Sequence, residues 1–241
     1  MKNTTTIIAM SGALALSTAL TVQAQTAQRE TPYHLNISVG GQFQSHEFSP
    51  VTTFELYAET GTVTANQTIG GGFVFDASGG YRFWRNLSGA IGISTFNGSG
   101  EAAAVAAIPD PVSVGKPTLK EFDPSAFGDL SQSNVATNFQ AVWLQPINDR
   151  VDISIFGGPS IIHVSQELPS VTPDASALPL VISESGTGAG GNVGVDFAYR
   201  VNNRYRVGAF VRYLGGSVDL PSIESLTVGG VELAGGIRLR F

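Results

Sequence analysis

The chain of 241 residues offers 3 His, 19 Asp and Glu, 13 Lys and Arg, and no Cys for chemistry. Without Cys there is no disulfide framework, no thiolate metal site and no Cys nucleophile. His34, His46 and His163 lie too far apart in the chain for a His-rich metal site. His46, His163 and Ser165 are the raw material of a Ser–His–acid hydrolase, but no spacing ties them together. Gly186-Thr187-Gly188-Ala189-Gly190-Gly191 spells G-x-G-x-x-G. A dinucleotide site needs strand, loop and then helix, and these glycines lead into a strand. Gly115-Lys116 lacks the upstream Gly and the following Ser or Thr of a phosphate loop, and neither G-x-S-x-G nor H-E-x-x-H occurs. No catalytic residue, cofactor or metal is therefore expected.

What remains is electrostatic chemistry, sparse and ordered. Charged residues make up 13% of the chain, about half the quarter usual in soluble domains. A net charge of −6 and a pI near 5.0 argue against a nucleic-acid partner. Ten charged residues alternate with apolar ones at a period of two: Asp76, Arg82, Asp152, Asp196, Arg200, Arg206, Arg212, Glu232, Arg238 and Arg240.

That period belongs to strands with one apolar and one polar face. In the last stretch Val231, Leu233, Ile237 and Leu239 alternate with Glu232, Ala234, Gly236, Arg238 and Arg240. Eight such segments are predicted, over 33–48, 68–84, 87–103, 132–147, 150–166, 187–201, 205–220 and 228–241. Connections alternate between short turns at Arg85-Asn86, Asn148-Asp149 and Asn202-Asn203-Arg204 and long loops at 49–67, 104–131, 167–186 and 221–227. Short turns at one end and long loops at the other are the layout of a transmembrane barrel. The polar face is rich in Gly, Ala, Ser and Asn, which suits a narrow interior better than the solvated surface of a β-sandwich. The expected fold is all-β, an eight-stranded antiparallel up-and-down transmembrane barrel with short periplasmic turns and four longer extracellular loops.

The barrel gives the ten charges a place. On this parity they face the lumen as six Arg against four carboxylates. The opposite register would put Arg212 and Glu232 in lipid, where an Arg near the midplane costs about 2–4 kcal/mol. Arg212 and Glu232 face each other if the last two strands pair about a loop near residue 222, close enough for a bidentate contact. The lumen is then either a polar plug or a narrow charge-lined pore. One segment fits poorly. Pro159 follows Gly157-Gly158, and Ile162 and Val164 are apolar where polar residues are due. A bulge at 157–159 is expected to flip the parity there and turn His163 inward. Tyr33, Tyr81, Phe83, Trp84, Trp143, Tyr199, Tyr205 and Phe241 mark one aromatic girdle at the short-turn end, with Phe48, Phe96 and Tyr213 as candidates for the other.

The start of the chain is an address. Lys2 precedes an apolar stretch from Ile7 to Leu20, and Val22-Gln23-Ala24 carries small residues at the −3 and −1 positions of a cleavage site. Residues 1–24 read as a secretory signal peptide cut between Ala24 and Gln25, leaving 25–241 as the barrel domain.

With this layout, the sequence resembles the small eight-stranded outer-membrane β-barrel family, of the OmpA transmembrane-domain, OmpX and opacity-protein type. The ending Gly236-Ile237-Arg238-Leu239-Arg240-Phe241 looks like that family's assembly signal, with Gly236, Leu239 and Phe241 in the matching positions. Gly79 to Asn86 looks like its second strand and first periplasmic turn. The resemblance implies a multi-pass protein of the bacterial outer membrane, surrounded by membrane lipid and lipopolysaccharide. It also implies assembly by the barrel-assembly machinery through the C-terminal strand, and a monomer. The family mixes adhesins, structural anchors, narrow pores and a few lipid-modifying enzymes, and fold does not choose among them. The expected role is structural or adhesin-like with a plugged lumen. A narrow passive porin for ions or small solutes is the alternative, and a lipid-modifying enzyme a third.

The loops hold Glu55, Glu59, Asp110, Glu121, Asp123, Asp129, Asp174, Glu184 and Glu224 against Lys116 and Lys120. Such carboxylates could share divalent cations with lipopolysaccharide phosphates. Loop 104–131, stiffened by Pro109, Pro111, Pro117 and Pro124, is where an extracellular partner is expected to bind.

Overall fold

A computed structural model describes residues 32–241 apart from 44, 45, 114 and 175. The expected leader, with Ala24 and Gln25, lies outside the described residues. The strands are β1 (Tyr33–Gln42), β2 (His46–Phe48), β3 (Val51–Leu56), β4 (Glu59–Trp84), β5 (Leu87–Ile108), β6 (Thr118–Phe122), β7 (Leu130–Pro146), β8 (Val151–Val171), β9 (Pro179–Arg200), β10 (Tyr205–Leu220) and β11 (Ile223–Arg240). Eight of them, β1, β4, β5, β7, β8, β9, β10 and β11, pair antiparallel into a closed ring, with β11 returning onto β1. Each predicted segment supplies one strand of that ring, the first through β1, while its end at 46–48 is the separate strand β2 paired with β4.

Closure is tight where first and last strands meet. Their ladder runs without a break from His34↔Arg240 to Gln42↔Glu232. At Gly236 a Cβ would run into the carbonyl of Ile37 on the neighbouring strand, so only glycine fits there.

The membrane is recorded on the outer wall. Leu35, Ile37 and Val39 on β1, Phe73 and Phe75 on β4, and Val193, Val195 and Phe197 on β9 are exposed on the outer face of the ring. These and their neighbours form an apolar band, and a membrane strand needs only about 9–11 residues to cross it. Yet β4 has 26 residues, β5 22, β8 21 and β9 22. The surplus rises above the band, and there the polarity of the wall reverses. On the upper part of β4 the outward positions are Thr60, Thr64, Asn66 and Thr68, while Val63, Ala65 and Ile69 are buried inside. Once a strand leaves lipid for water, the apolar side chains must turn inward, as in any soluble sheet.

This reversal corrects the reading of β8. The predicted bulge at 157–159 is absent. Pairing with β9 keeps one register from Val151↔Tyr199 to Val171↔Pro179, passing through Pro159↔Gly191. The β7 ladder holds the same register on both sides, at Asn138↔Ser160 and Ala141↔Gly157. Ile162 and Val164 are apolar because they are the inner face of the upper barrel, and His163 points outward, its Nδ1 2.9 Å from the Thr187 hydroxyl. The parity does flip once, on β4 at Gly70–Gly71, where one extra residue shifts the register with β5 between Ile69 and Gly72.

The long loops are also corrected. Region 49–67 is mostly the β3–β4 hairpin, closed by the two-residue turn Tyr57–Ala58 with φ of 54° and 60°. Positive φ at both central positions matches the twist of paired strands. Region 167–186 is mostly the β8–β9 hairpin, whose ladder reaches Val171↔Pro179. Region 221–227 shrinks to a turn, because β10 pairs with β11 up to Leu220↔Ile223. Within 104–131, β5 continues to Ile108 and β6 folds back beside it. The lower girdle residues are all exposed at the short-turn end. Of the upper candidates, Tyr213 is exposed on the outer wall, Phe96 is buried inside, and Phe48 packs against the upper core.

Candidate functional site: the barrel lumen

Within the membrane the lumen is filled by a polar tier. Arg212 on β10 stands opposite Glu232 on β11 and donates to one carboxylate oxygen through Nε (2.8 Å) and Nη2 (2.5 Å). Its Nη1 reaches across the ring to Asp76 on β4 at 2.7 Å. The guanidinium also lies 5.0 Å from the centre of the Phe210 ring. Arg212 is 2% exposed and Glu232 1%, so one guanidinium holds two buried carboxyl groups. Such groups survive burial only when paired.

A second cluster sits nearer the periplasm. Arg238 donates to Asp196 through Nη2 at 2.5 Å and Nε at 3.1 Å, and through Nη1 to the Ser38 hydroxyl at 2.7 Å. Arg206 is paired with Asp152, both buried. Arg82, Arg200 and Arg240 are half-buried at the periplasmic mouth. Thus Asp76, Arg212 and Glu232 form one group, Arg238 and Asp196 another, and Arg206 and Asp152 a third.

Uncharged polar groups that parity alone did not single out complete the tier. Asn138 is the hub of a network across four strands, β5, β7, β8 and β9. It donates to Ser94 at 3.1 Å and accepts from Ser160 at 2.7 Å, while Asn192 donates to Ser160 at 2.9 Å. Gln140 donates to Asn192 at 2.9 Å. Their signal was present as inward Asn and Ser on neighbouring strands, but only the register shows that 94, 138, 160 and 192 share a level. Phe156 and Phe210 meet edge to face at 6.2 Å below them. The space left over is a cavity of about 40 Å³ lined by Asn36, Asp76, Asp196, Arg212 and Arg238 among others, room for a few water molecules.

Above the polar tier lies an apolar one. Ile162, Val164, Leu214, Val218, Leu226 and Val228 from β8, β10 and β11 form one buried cluster with Ala136 of β7. Higher still, Val63, Ala65, Ala104, Ala106, Phe122, Phe127 and Leu130 join with Val171 and Ala177, and Phe54 and Leu56 of β3 pack against them. The tip of the β8–β9 hairpin is pinned to this lobe by Lys120, which donates to the carbonyls of Ser176 (2.8 Å) and Ala177 (3.2 Å).

The hydrolase candidates are not assembled. His163 and Ser165 lie exposed on the outer wall of β8, and His46 belongs to β2, on another strand. Among the described residues, no group of three or more His, Asp and Glu could hold a metal ion. At the C-terminus, Leu239 is half-buried and Phe241 exposed beside the girdle, with the Phe241 backbone exchanging hydrogen bonds with Tyr33.

Several solved structures match this chain at low identity. Neisserial surface protein A shares 14% identity over 87% of this chain and 96% of that one, with a TM-score of 0.46. OprG from Pseudomonas aeruginosa shares 11% over 88% and 96%, with 0.47. Ail, the attachment invasion locus protein of Yersinia pestis, in complex with the heparin analogue sucrose octasulfate, shares 12% over 86% and 99%, with 0.39. No curated protein sequence matches. The family model of the outer membrane protein beta-barrel domain matches residues 12–229. With a closed ring of eight strands, an apolar outer band and that match, the chain belongs to the outer membrane protein beta-barrel family, as a multi-pass barrel of the bacterial outer membrane.

Proposed function

We propose that the protein is a closed, non-catalytic scaffold whose role is structural or adhesin-like, holding a rigid β-lobe above the membrane for contact with an outside partner. One observation carries this reading: the lumen is stoppered twice, by ion pairs and amides within the membrane and by an apolar core above it. An ion or solute would have to break the Asp76–Arg212–Glu232 junction and then part Ile162, Leu214 and Val228. On this view the luminal charges Asp76, Arg82, Asp152, Asp196, Arg200, Arg206, Arg212, Glu232, Arg238 and Arg240 act as a plug. A narrow passive channel is the competing reading, and the cavity of about 40 Å³ beside Arg212 is its support.

The partner surface is taken to be the top of the lobe, where the β8–β9 turn meets Lys120 of β6, with 109–117 leading into that strand. Gly236, Leu239 and Phe241 are read as the signal for the barrel-assembly machinery, on their likeness to the family's ending. The test is adhesion to plates coated with extracellular-matrix protein. Cells displaying the wild-type chain should adhere several-fold more than cells displaying a variant with 109–117 replaced by a short Gly-Ser turn. Equal adherence would remove the surface-interaction role and leave a purely structural one.

A further inference from the structure

The cations of this barrel are gathered at one end. Of the described arginines, Arg82, Arg85, Arg150, Arg200, Arg204, Arg206, Arg238 and Arg240 all lie in the periplasmic part of the strands or in the short turns, and only Arg212 lies higher. The carboxylates at that end are Asp149, Asp152 and Asp196, two of which are taken by Arg206 and Arg238. The upper end holds Lys116 and Lys120 against a majority of the acids.

Three of these arginines are not part of the luminal plug. Arg85, Arg150 and Arg204 are exposed, one on each short turn. Two turns are built alike. Asn148 Oδ1 accepts from the backbone N–H of Arg150 (2.8 Å) and Val151 (2.9 Å), and Asn202 Oδ1 accepts from that of Arg204 (2.9 Å) and Tyr205 (2.8 Å). Among the described residues, none of the three guanidiniums is within salt-bridge distance of a carboxylate. Each sits beside a girdle aromatic: Arg85 follows Trp84, Arg204 precedes Tyr205, and Arg150 donates to the Tyr199 hydroxyl at 3.3 Å.

We propose that Arg85, Arg150 and Arg204 form a collar that binds the phosphate groups of anionic phospholipids in the periplasmic leaflet. The girdle fixes their height, because Tyr and Trp settle at the boundary between hydrocarbon and headgroups. Turns of two to four residues cannot carry a side chain far from that boundary, so the guanidiniums lie in the phosphate layer. There, planar N–H donors match phosphate oxygens in pairs. The same short reach argues against a cell-wall polymer farther into the periplasm.

The chain's only two tryptophans, Trp84 and Trp143, stand in this girdle and report which lipids touch it. The refolded full-length barrel is reconstituted in phosphatidylcholine vesicles containing equal small fractions of brominated phosphatidylglycerol or brominated phosphatidylcholine. Tryptophan quenching should favour the brominated anionic lipid about fivefold, the weight of one cation near an anionic surface. Molar salt should erase the preference, and so should R85Q/R150Q/R204Q, with folding of the variant checked by resistance to unboiled SDS. Equal quenching by the two lipids in the wild type would overturn the proposal, and the salt series on the wild type decides even if the variant fails to fold. Retention on isolated peptidoglycan that depends on the three arginines, without lipid preference, would overturn it too and reassign the collar to the cell wall.

Discussion

Arg212 is the residue on which the polar tier turns. Removing it leaves Asp76 and Glu232 buried and unpaired, and breaking a buried ion pair from one side costs about 3–5 kcal/mol. R212L should therefore lower the unfolding free energy obtained from urea titration of the barrel in detergent micelles by that amount. D76L/R212L/E232L, which leaves no orphan charge, should recover most of it; a triple variant as weak as R212L would deny that charge pairing is the cause. The Arg212–Glu232 pairing could be read from the chain, because parity puts both inward and a turn near 222 puts them opposite. Asp76 could not, being 136 residues away and reached across the ring rather than along a ladder. A second residue-scale prediction concerns Asp174 in the β8–β9 turn. The Ser176 hydroxyl, and then the Ser176 N–H, hold its carboxyl below the usual carboxylate range. A depressed pKa in the folded state means the turn is stabilised above the unfolded value and loses that support as pH falls through the folded one. The protection of the Ser176 and Ala177 amides, measured relative to their intrinsic exchange at each pH, should fall on acidification below about pH 4, the ordinary carboxylate range. In D174N that protection should be low throughout and show no such step.

At the scale of elements, the eight strands were legible because lipid enforces alternation on every one of them. The hairpin extensions were not. Above the band β4 carries Thr60, Thr64, Asn66 and Thr68 outward and Val63, Ala65 and Ile69 inward, and the tips of β8 and β9 carry Pro169 and Pro179, with Pro173 in the turn between them. That composition reads as loop when a membrane wall is the template. The same blind spot produced the bulge at Pro159. A change in which parity is apolar signals either a shift in register or a change of solvent, and β8 took the second course while β4 took the first at Gly70–Gly71. The β3–β4 turn offers a direct check of the hairpin. Ala58 has φ of 60°, a left-handed conformation that costs an L-residue about 1 kcal/mol. A58G should raise stability by up to about that amount, part of it offset by the extra freedom glycine gives the unfolded chain. A disordered loop at that position would instead make A58G neutral or destabilising in urea titration.

The described residues form one membrane barrel whose longer strands continue above it as a β-lobe. The barrel has the inverted polarity of a membrane protein, and the lobe has the ordinary polarity of a soluble one. Charge follows the same axis, acids above and arginines below. The C-terminal ladder ties the halves together, since β10 and β11 run through both. The consequence of the proposed scaffold reading that matters most is a lumen closed by two independent means. Single-channel recording of the refolded protein in a planar bilayer tests this directly, with R212A beside the wild type. The account predicts silence from both, because loss of the polar junction still leaves Ile162, Val164, Leu214 and Val228 closed above it. A steady, reproducible current through the wild type would contradict the closed scaffold, and a current through R212A alone would show that the upper tier does not seal.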